Sequence, residues 1–371
     1  MIKYRTYKYL IKPTNVQKEI IIKTLECCTI VYNKFVNENG FEKYKLMKSK
    51  DVFYKYKAEN PNLFMADPSA IMNLLFILQD NRTNRQEAKP KKGLIRSYTT
   101  SNLTGRQGIY IINDNRIFLP KIGGIEVVMH RKIPENANIQ KTTVTIDNVN
   151  NYYVCISVAF ENSDGNKNID INNSIGLDYS SQHLYVDSNG VVCDNKHYYK
   201  QQENRLSKLK SQLQRCERGS NNYYKLKTKI RKIYKKISNQ RHDYLHKLST
   251  ELANKYDAIF VEDLDMKEIS QVYHLGKNTY DNGYGMFLEM LKYKMEDRGK
   301  IFSKIDKYHP SSKKCSICGY VNEDLSLSER TWICKKCNTK HDRDYNAAIN
   351  IRKRGIEEFM SIGYLDYAYM K

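Results

Sequence analysis

The sequence contains no apolar run long enough to span a bilayer. Its longest apolar block, residues 71–78, is interrupted by Asn73, whereas a membrane-spanning helix needs about 18 or more apolar residues in a row. The first residues, MIKYRTYKYLIKPT, carry charge but lack the apolar core of a signal peptide. We therefore expect a cytoplasmic protein with no membrane partner.

Acidic residues are too few to balance the basic ones. Lysine and arginine number 62 against 41 aspartates and glutamates, which gives a formal net charge of +21. This excess favours a polyanionic partner, and nucleic acid is the obvious candidate. An acidic membrane surface would attract the same charge, but the chain has no segment that would span a bilayer.

The basic residues are concentrated between residues 203 and 247, where the sequence has fourteen lysines and arginines and three acids. Leucine and isoleucine recur there at helical spacing. This pattern predicts two long basic amphipathic helices within residues 195–255, broken at 219–222. A solvated charged face and a surface that contacts phosphates both fit the pattern, and the imbalance of sign is the argument for the second.

The nine cysteines divide into two groups. Five are scattered, and four form two C-x-x-C pairs separated by fifteen residues: Cys315, Cys318, Cys334 and Cys337. In a cytoplasmic protein such pairs indicate a metal site rather than disulfides. Four thiolates at this spacing predict one tetrahedral Zn²⁺ in a ribbon, and they leave no open position for a catalytic water. His341 is a further possible ligand, but the four thiolates already complete the tetrahedron.

The first half of the chain reads as a sheet with a helical insert. Residues 2–11 alternate like a strand, and the pattern is helical from residue 16 to about residue 79. Strand candidates follow at 108–112, 116–119, 125–130 and 141–160. The hydrophilic residues 161–173 predict a linker to a second unit.

Three acids of the second unit are selected by their positions. Asp178 ends a predicted strand that opens a three-stranded meander, and Glu262 ends the buried run AIFVE, whose predicted neighbour is GKIFSKID. Asp344 opens a predicted helix. Carboxylates that converge repel each other unless divalent cations lie between them, so this trio would suit two Mg²⁺ ions. Asp263, Asp265 and Asp342 are close in sequence and equally acidic, so the residues alone leave the choice open.

These motifs together resemble the TnpB family, RNA-guided DNA endonucleases encoded by bacterial insertion sequences and related to the compact type V CRISPR effectors. The resemblance rests on GLDYS at 176–180, FVEDL at 260–264, CSICG at 315–319 and CKKCNTKHDRDYNAAIN at 334–350, in that order. Further similarity at YKYLIKPTNVQKEII, CCTIVYNKF, SYTT and LPKIG extends it over nearly the whole chain. The chain departs from the family pattern at two places. Tyr179-Ser180 follow Asp178, where family members often have Leu-Gly, and Asn338 follows the second C-x-x-C pair (the second knuckle of the ribbon), where they often have Gly. Asn338 can still form the knuckle turn, because asparagine tolerates positive φ.

The resemblance implies an α+β chain with these domains. Residues 170–371 would form an RNase H-like RuvC nuclease domain that includes the zinc ribbon at 310–341. Residues 1–14 and 96–165 would form a wedge-type β-barrel, with a helical recognition insert at 15–95. The catalytic acids would be Asp178, Glu262 and Asp344, which bind two Mg²⁺.

The implied partners are a guide RNA derived from the transposon end and a double-stranded DNA target that carries a short flanking motif. The protein would then associate with the bacterial nucleoid when bound. Two other functions would suit a similar chain. A nuclease-inactive RNA-guided repressor is disfavoured because none of the three acids is missing. An RNase H-fold transposase is disfavoured because such enzymes usually order their acids Asp, Asp, Glu.

Overall fold

The computed structural model describes residues 2–80, 88–101, 108–161, 169–266, 281–326 and 329–362. The chain is mixed α+β and divides into two compact units, Met1–Ser163 and Asp164–Lys371. Part of the predicted linker, residues 162–168, lies outside the described residues. Within the described part of the chain, no helix is long and apolar enough to cross a bilayer.

The first unit contains one antiparallel sheet of seven strands. Its strands are β1 Ile2–Lys12, β2 Ser97–Ser101, β3 Tyr110–Asn113, β4 Arg116–Leu119, β5 Gly123–Val128, β6 Asn138–Ile146 and β7 Tyr152–Glu161. Their order across the sheet is β2-β6-β7-β1-β5-β4-β3. Residues 141–160 looked like one β segment in the sequence, but a turn separates β6 from β7. Asp147 accepts hydrogen bonds from the backbone of Val149 and Asn151 there, and Asn150 has a φ of 65°.

The helical insert packs against this sheet. It comprises α1 Asn15–Asn37, α2 Gly40–Lys43, α3 Ser49–Glu59, a 3-10 turn Pro61–Met65 and α4 Pro68–Asp80. The sequence determines where α1 begins, because Thr14 and Gln17 cap each other's backbone N–H groups. The apolar faces of the helices and the buried side chains of the strands form a single core.

The second unit is built on a mixed sheet of five strands. They are β8 Ser174–Tyr179, β9 Tyr185–Asp187, β10 Val192–Cys193, β11 Ala258–Glu262 and β12 Ile301–Ile305, in the order β10-β9-β8-β11-β12. β8, β11 and β12 are parallel, β9 pairs antiparallel with both β8 and β10, and β10 therefore runs in the same direction as β8. The predicted meander and the predicted pairing of GKIFSKID with AIFVE are both confirmed.

The helices of the second unit are α5 Tyr198–Gln214, α6 Asn221–Lys255, α7 Tyr284–Asp297 and α8 Arg343–Ile362. A small hairpin of β13 Thr331–Ile333 and β14 Lys340–Asp342 precedes α8. The two predicted basic helices are therefore confirmed as α5 and α6. Their break spans residues 215–220, slightly earlier than predicted.

Helix α8 lies unusually close to the sheet because glycine occurs at the contact. A Cβ atom on Gly176 of β8 would lie 2.3 Å from the carbonyl oxygen of Ala348 and 2.7 Å from the backbone nitrogen of Arg352. Both neighbours are backbone atoms and cannot rotate away. This contact holds the helix that carries Asp344 directly against the strand that carries Asp178.

We expect Gly176→Ala to destabilise the protein by about 1–3 kcal/mol or more, because α8 must move away from β8 to admit a methyl group. Thermal unfolding would measure the loss. Gly285→Ala in α7 is the matched control, since its added Cβ would meet only the Met266 side chain at 3.8 Å. Equal stabilities for the two variants would contradict the close contact.

Candidate functional site

Two of the predicted acids lie at one edge of the five-stranded sheet. β8 and β11 are parallel neighbours, and their register pairs Leu177 with Val261. Asp178 and Glu262 are the next residues on each strand, so both carboxylates lie at the carboxyl ends of adjacent strands. Asp178 is buried, with 7% of its surface exposed, and Glu262 is partly buried.

The third predicted acid comes to the same edge from α8. Asp344 is the second residue of that helix and lies in its first turn, and the Gly176 contact fixes the helix against β8. Burial raises the pKa of the Asp178 carboxyl well above its ordinary value, and the negative charges of Glu262 and Asp344 raise it further. The structure therefore brings these three carboxylates together.

Burial also raises the pKa of the other two acids. For Glu262, a hydrogen bond from Ser311 and the charge of Arg343 oppose the shift. For Asp344, the positive charge of Arg330 opposes it and the negative charge of Asp342 adds to it. Each carboxylate is thus destabilised by burial, as expected for a site that requires cations to balance its charge.

Ser311 and Arg330 make direct contacts with two of these acids. The hydroxyl of Ser311 donates a hydrogen bond to Oε1 of Glu262. The guanidinium of Arg330 lies 3.4 Å from both carboxylate oxygens of Asp344. Both contacts come from the segment between β12 and α8, so that segment borders the acidic site.

The other acids that the sequence offered near these positions, Asp263, Asp265 and Asp342, have surroundings of their own. Asp263 forms an ion pair with Lys304 at 2.7 Å, and Asp265 is exposed. Asp342 accepts a hydrogen bond from the backbone N–H of Tyr345 at 2.9 Å, which is the contact of a residue that caps a helix. Two of the alternatives left open by the sequence, Asp263 and Asp342, are therefore engaged in contacts of their own.

Oxygen donors of this kind fit magnesium. Mg²⁺ prefers carboxylate and water oxygens, and the trio supplies carboxylates whose mutual repulsion a cation would relieve. The fit rests on the donor set and on the raised pKa of Asp178.

The four cysteines of the two C-x-x-C pairs form a second candidate metal site. Their sulfur atoms all lie within 4.8 Å of one another, and two of the sulfur pairs are 3.6 Å apart. A Zn²⁺ ion with Zn–S bonds of about 2.3 Å needs sulfurs about 3.8 Å apart. The arrangement therefore fits a four-thiolate zinc site. His341 Nε2 lies 3.1 Å from the sulfur of Cys315, at the border of the cluster.

The two knuckles have equivalent turns. Gly319 follows the first pair with a φ of 76°, and Asn338 follows the second with a φ of 57°. The prediction that Asn338 preserves the turn is confirmed. Hydrogen bonds from the Thr339 hydroxyl and backbone lower the pKa of the Cys337 thiol to about 6, which favours the thiolate that a metal needs.

The segment that carries the cysteines is also tied to α8. Asn350 donates to the carbonyls of Ser311 at 2.8 Å and Lys314 at 2.5 Å, and Asn346 donates to the Lys314 carbonyl at 2.8 Å. Both asparagines are buried. The cysteine cluster and the helix bearing Asp344 therefore form one hydrogen-bonded structure.

Helices α5 and α6 bury one face and expose their charge. Ile230, Ile233 and Ile237 of α6 pack with Leu206 of α5. Four lysines of α6 are exposed on the surface: Lys225, Lys229, Lys232 and Lys236. Their spacing places them along one side of the helix.

Sequence reasoning missed Ser311 and Arg330. No signal distinguishes one serine or one arginine in a loop, since contact with an acid depends on the tertiary fold.

Comparison with known protein families gives three matches along the chain. Residues 156–273 match the IS605 OrfB family model, described as "Probable transposase". Residues 1–47 match the helix-turn-helix domain model of the same family. Residues 284–351 match the model "Cas12f1-like, TNB domain". The last match includes all four clustered cysteines and Asp344.

Curated relatives carry a consistent description. A "Putative RNA-guided DNA endonuclease" of Streptomyces pristinaespiralis is 27% identical over 370 residues, which cover 95% of this chain and 89% of that protein. The "Putative RNA-guided DNA endonuclease InsQ" of Escherichia coli K12 is 27% identical over 268 residues, 67% of this chain and 64% of that protein. With the family matches, these relatives confirm the resemblance to the TnpB family.

A solved structure shares the fold. In "Cryo-EM structure of the Cas12f1-sgRNA-target DNA complex", the protein has a TM-score of 0.54 to this chain and is 15% identical, and the match covers 91% of this chain and 83% of that one. At this identity the likeness concerns the mixed α+β fold.

Proposed function

We propose that this TnpB-like chain is an RNA-guided, Mg²⁺-dependent DNA endonuclease. Its guide would be an RNA derived from the transposon end, and its target would be double-stranded DNA beside a short flanking motif. The relatives' descriptions support this class of activity. The observation that carries the proposal is the convergence of Asp178, Glu262 and Asp344 at one sheet edge.

The domain assignment is proposed on the same basis. The strand order β10-β9-β8-β11-β12, in which only β9 runs antiparallel to the other strands, supports an RNase H-like RuvC nuclease domain at 170–371. The four-cysteine cluster supports a zinc ribbon at 310–341. The antiparallel sheet and the helical insert support a wedge-type barrel with a recognition insert at 15–95.

All three acids would act in phosphodiester hydrolysis as cation ligands. Asp178, the most buried of them, would bind a cation beside Glu262 and Asp344. Ser311 would fix the orientation of the Glu262 carboxylate, and Arg330 would restrain Asp344 until cations or phosphate compete for the same charges. Two bound Mg²⁺ ions would supply an activated water on one side of the phosphate and stabilisation of the leaving 3′ oxygen on the other.

Pairing with the guide would select the target, while the protein would contact backbones and the flanking motif. The exposed lysines of α6 are suited to phosphate contacts. They lie on a helix whose other face is buried, so the charged side is held in place.

We expect nucleic-acid binding to weaken steeply with salt, because each neutralised phosphate releases counterions. A combined reversal to glutamate at Lys225, Lys229, Lys232 and Lys236 should weaken binding and flatten the salt dependence. Binding titrations at several salt concentrations would measure both effects. Reversal of Lys3, Lys12, Lys18 and Lys23 in the first unit gives a charge-matched control. If the α6 variant binds like the wild type at every salt concentration, α6 is only a solvated face.

The direct test of function starts with the RNA that co-purifies with the protein. Sequencing that RNA should give a guide that ends in a variable segment. The purified complex should then cleave DNA that matches this segment beside the correct flanking motif, in Mg²⁺ and not in EDTA. Guided binding without cleavage would favour a repressor, and cleavage without RNA would favour a transposase.

A further inference from the structure

Tyr284 has a buried hydroxyl without a hydrogen-bond partner among the residues that the structure describes. Its side chain is 1% exposed, and within the described residues its hydroxyl oxygen makes no hydrogen bond. Buried polar groups are nearly always hydrogen-bonded, because an unmatched donor loses its bonds to water on folding. A phenylalanine would supply the same ring without this loss. The hydroxyl therefore calls for an explanation beyond packing.

The ring of Tyr284 is held beside the acidic site. It packs against Tyr179, the residue after Asp178, with ring centroids 4.9 Å apart, and against Phe287 at 6.1 Å. The segment before it is anchored too. Asn282 donates to the Ser180 carbonyl at 3.2 Å and to the His183 carbonyl at 2.5 Å, in the hairpin that follows Asp178. Tyr284 is thus fixed against the end of β8.

The charges of Asp178 and Glu262 act on the Tyr284 phenol. Burial raises the pKa of the Tyr284 phenol well above its ordinary value, and the carboxylates of Asp178 and Glu262 are the next largest contributors. A phenol O–H is a hydrogen-bond donor, and the ring that carries it packs on Tyr179, the residue next to Asp178. A donor in this position complements an oxygen atom that enters the space beside these carboxylates.

We propose that the Tyr284 hydroxyl is a further residue of the nuclease site, where it donates a hydrogen bond to the oxygen atom, of water or of phosphate, that binds beside Asp178 and Glu262. The inference rests on the proposed nuclease function and deepens it. It explains why a donor is buried without a protein partner, since its acceptor arrives with the substrate or with the hydrated cations.

Tyr284→Phe tests this proposal, because it removes only the hydroxyl. Tyr256→Phe is the matched control. Tyr256 is also a buried tyrosine of the same core, but its hydroxyl accepts a hydrogen bond from Asn189 and it lies before the start of β11, at the opposite end from Glu262. Both variants would be purified as guide complexes and compared with the wild type.

Four quantities would be measured: the single-turnover cleavage rate, guide and target binding, the binding of Mn²⁺ in place of Mg²⁺ by calorimetry without DNA, and the temperature of unfolding. We expect Tyr284→Phe to cleave at least about tenfold more slowly, with guide and target binding unchanged. Its unfolding temperature should equal or exceed that of the wild type, because the unmatched hydroxyl is gone. Weaker Mn²⁺ binding would identify the acceptor as water, and unchanged Mn²⁺ binding would identify it as a phosphate oxygen.

A Tyr284→Phe protein that cleaves within about twofold of the wild-type rate would overturn the inference. A lower unfolding temperature together with slower cleavage would also overturn it, since the hydroxyl would then act through packing. Tyr256→Phe should stay within about twofold in rate. A wild-type complex that does not cleave DNA matching its guide would contradict the proposed nuclease function itself. Failure of the proposed function can therefore be distinguished from failure of the inference about Tyr284.

Discussion

Asp344→Ala should abolish DNA cleavage and leave guide and target binding largely intact. The expected fall in rate is about 1,000-fold or more, because a metal ligand contributes several kcal/mol to stabilising the transition state. Binding should survive because guide pairing and backbone contacts do not need the metal site. Cleavage and binding would be measured on the same purified complex.

Asp344→Asn refines this test. It keeps the size of the side chain and removes its charge, so it preserves the start of α8 and leaves only a neutral amide oxygen for a cation. Arg330, which contacts both carboxylate oxygens of Asp344, loses its charged partner in both variants, so the comparison holds that loss constant. Equal loss in both variants would assign the defect to the missing charge.

Asp342→Ala is the natural comparison, because it removes an acid two residues away. Asp342 accepts the Tyr345 backbone N–H, and loss of such a cap costs about 0.5–2 kcal/mol of stability. Cutting should remain measurable. If Asp342→Ala did not cleave DNA and Asp344→Ala did, the third cation ligand would be Asp342.

The elements with strong local signals were predictable from the sequence. The C-x-x-C pairs, the meander with its Asn189-Gly190 turn and the basic helices all depend on residues close together in the chain. The observed ends of these elements differ from the predicted ends by a few residues. The turn between β6 and β7 was missed although its residues 147–151, DNVNN, are typical of turns, and Asp147 organises it through side-chain hydrogen bonds.

The grouping of the acids needed the tertiary structure. Position at strand ends selected Asp178 and Glu262, but only the parallel register of β8 and β11 makes them neighbours. The choice between Asp342 and Asp344 depends on where α8 begins and on its close contact at Gly176. Ser311 reaches Glu262 from 49 positions along the chain, a separation at which one sequence carries no pairing signal.

The second large effect is expected from Cys334→Ser. Cys334 is fully buried, so its thiolate is an interior ligand of the four-sulfur cluster. Structural zinc contributes about 10–16 kcal/mol of binding free energy in zinc-finger peptides, and that energy is folding energy for the segment that surrounds it. The wild-type protein should carry about one Zn²⁺, and the variant should carry much less.

Metal analysis would give the zinc content, and hydrogen exchange would locate the loosened region. We expect faster exchange in the segment that carries the cysteines and in the first turns of α8. Cys216→Ser is the matched control, because Cys216 lies between α5 and α6 and outside the four-sulfur cluster. Active wild-type protein that contains no zinc would contradict the assignment.

Cys334→Ser should also reduce cleavage, although zinc takes no part in the chemistry. The segment between β12 and α8 supplies the Ser311 contact to Glu262 and the Arg330 contact to Asp344. Its Lys314 carbonyl anchors α8 through two buried asparagines. Loss of the metal would release these contacts together, so the variant should lose cleavage and local protection from exchange, whereas Asp344→Asn should lose cleavage alone. If Cys334→Ser lost zinc yet cleaved normally, the cysteine segment would not position the acids, and its closeness to Asp344 would have another cause.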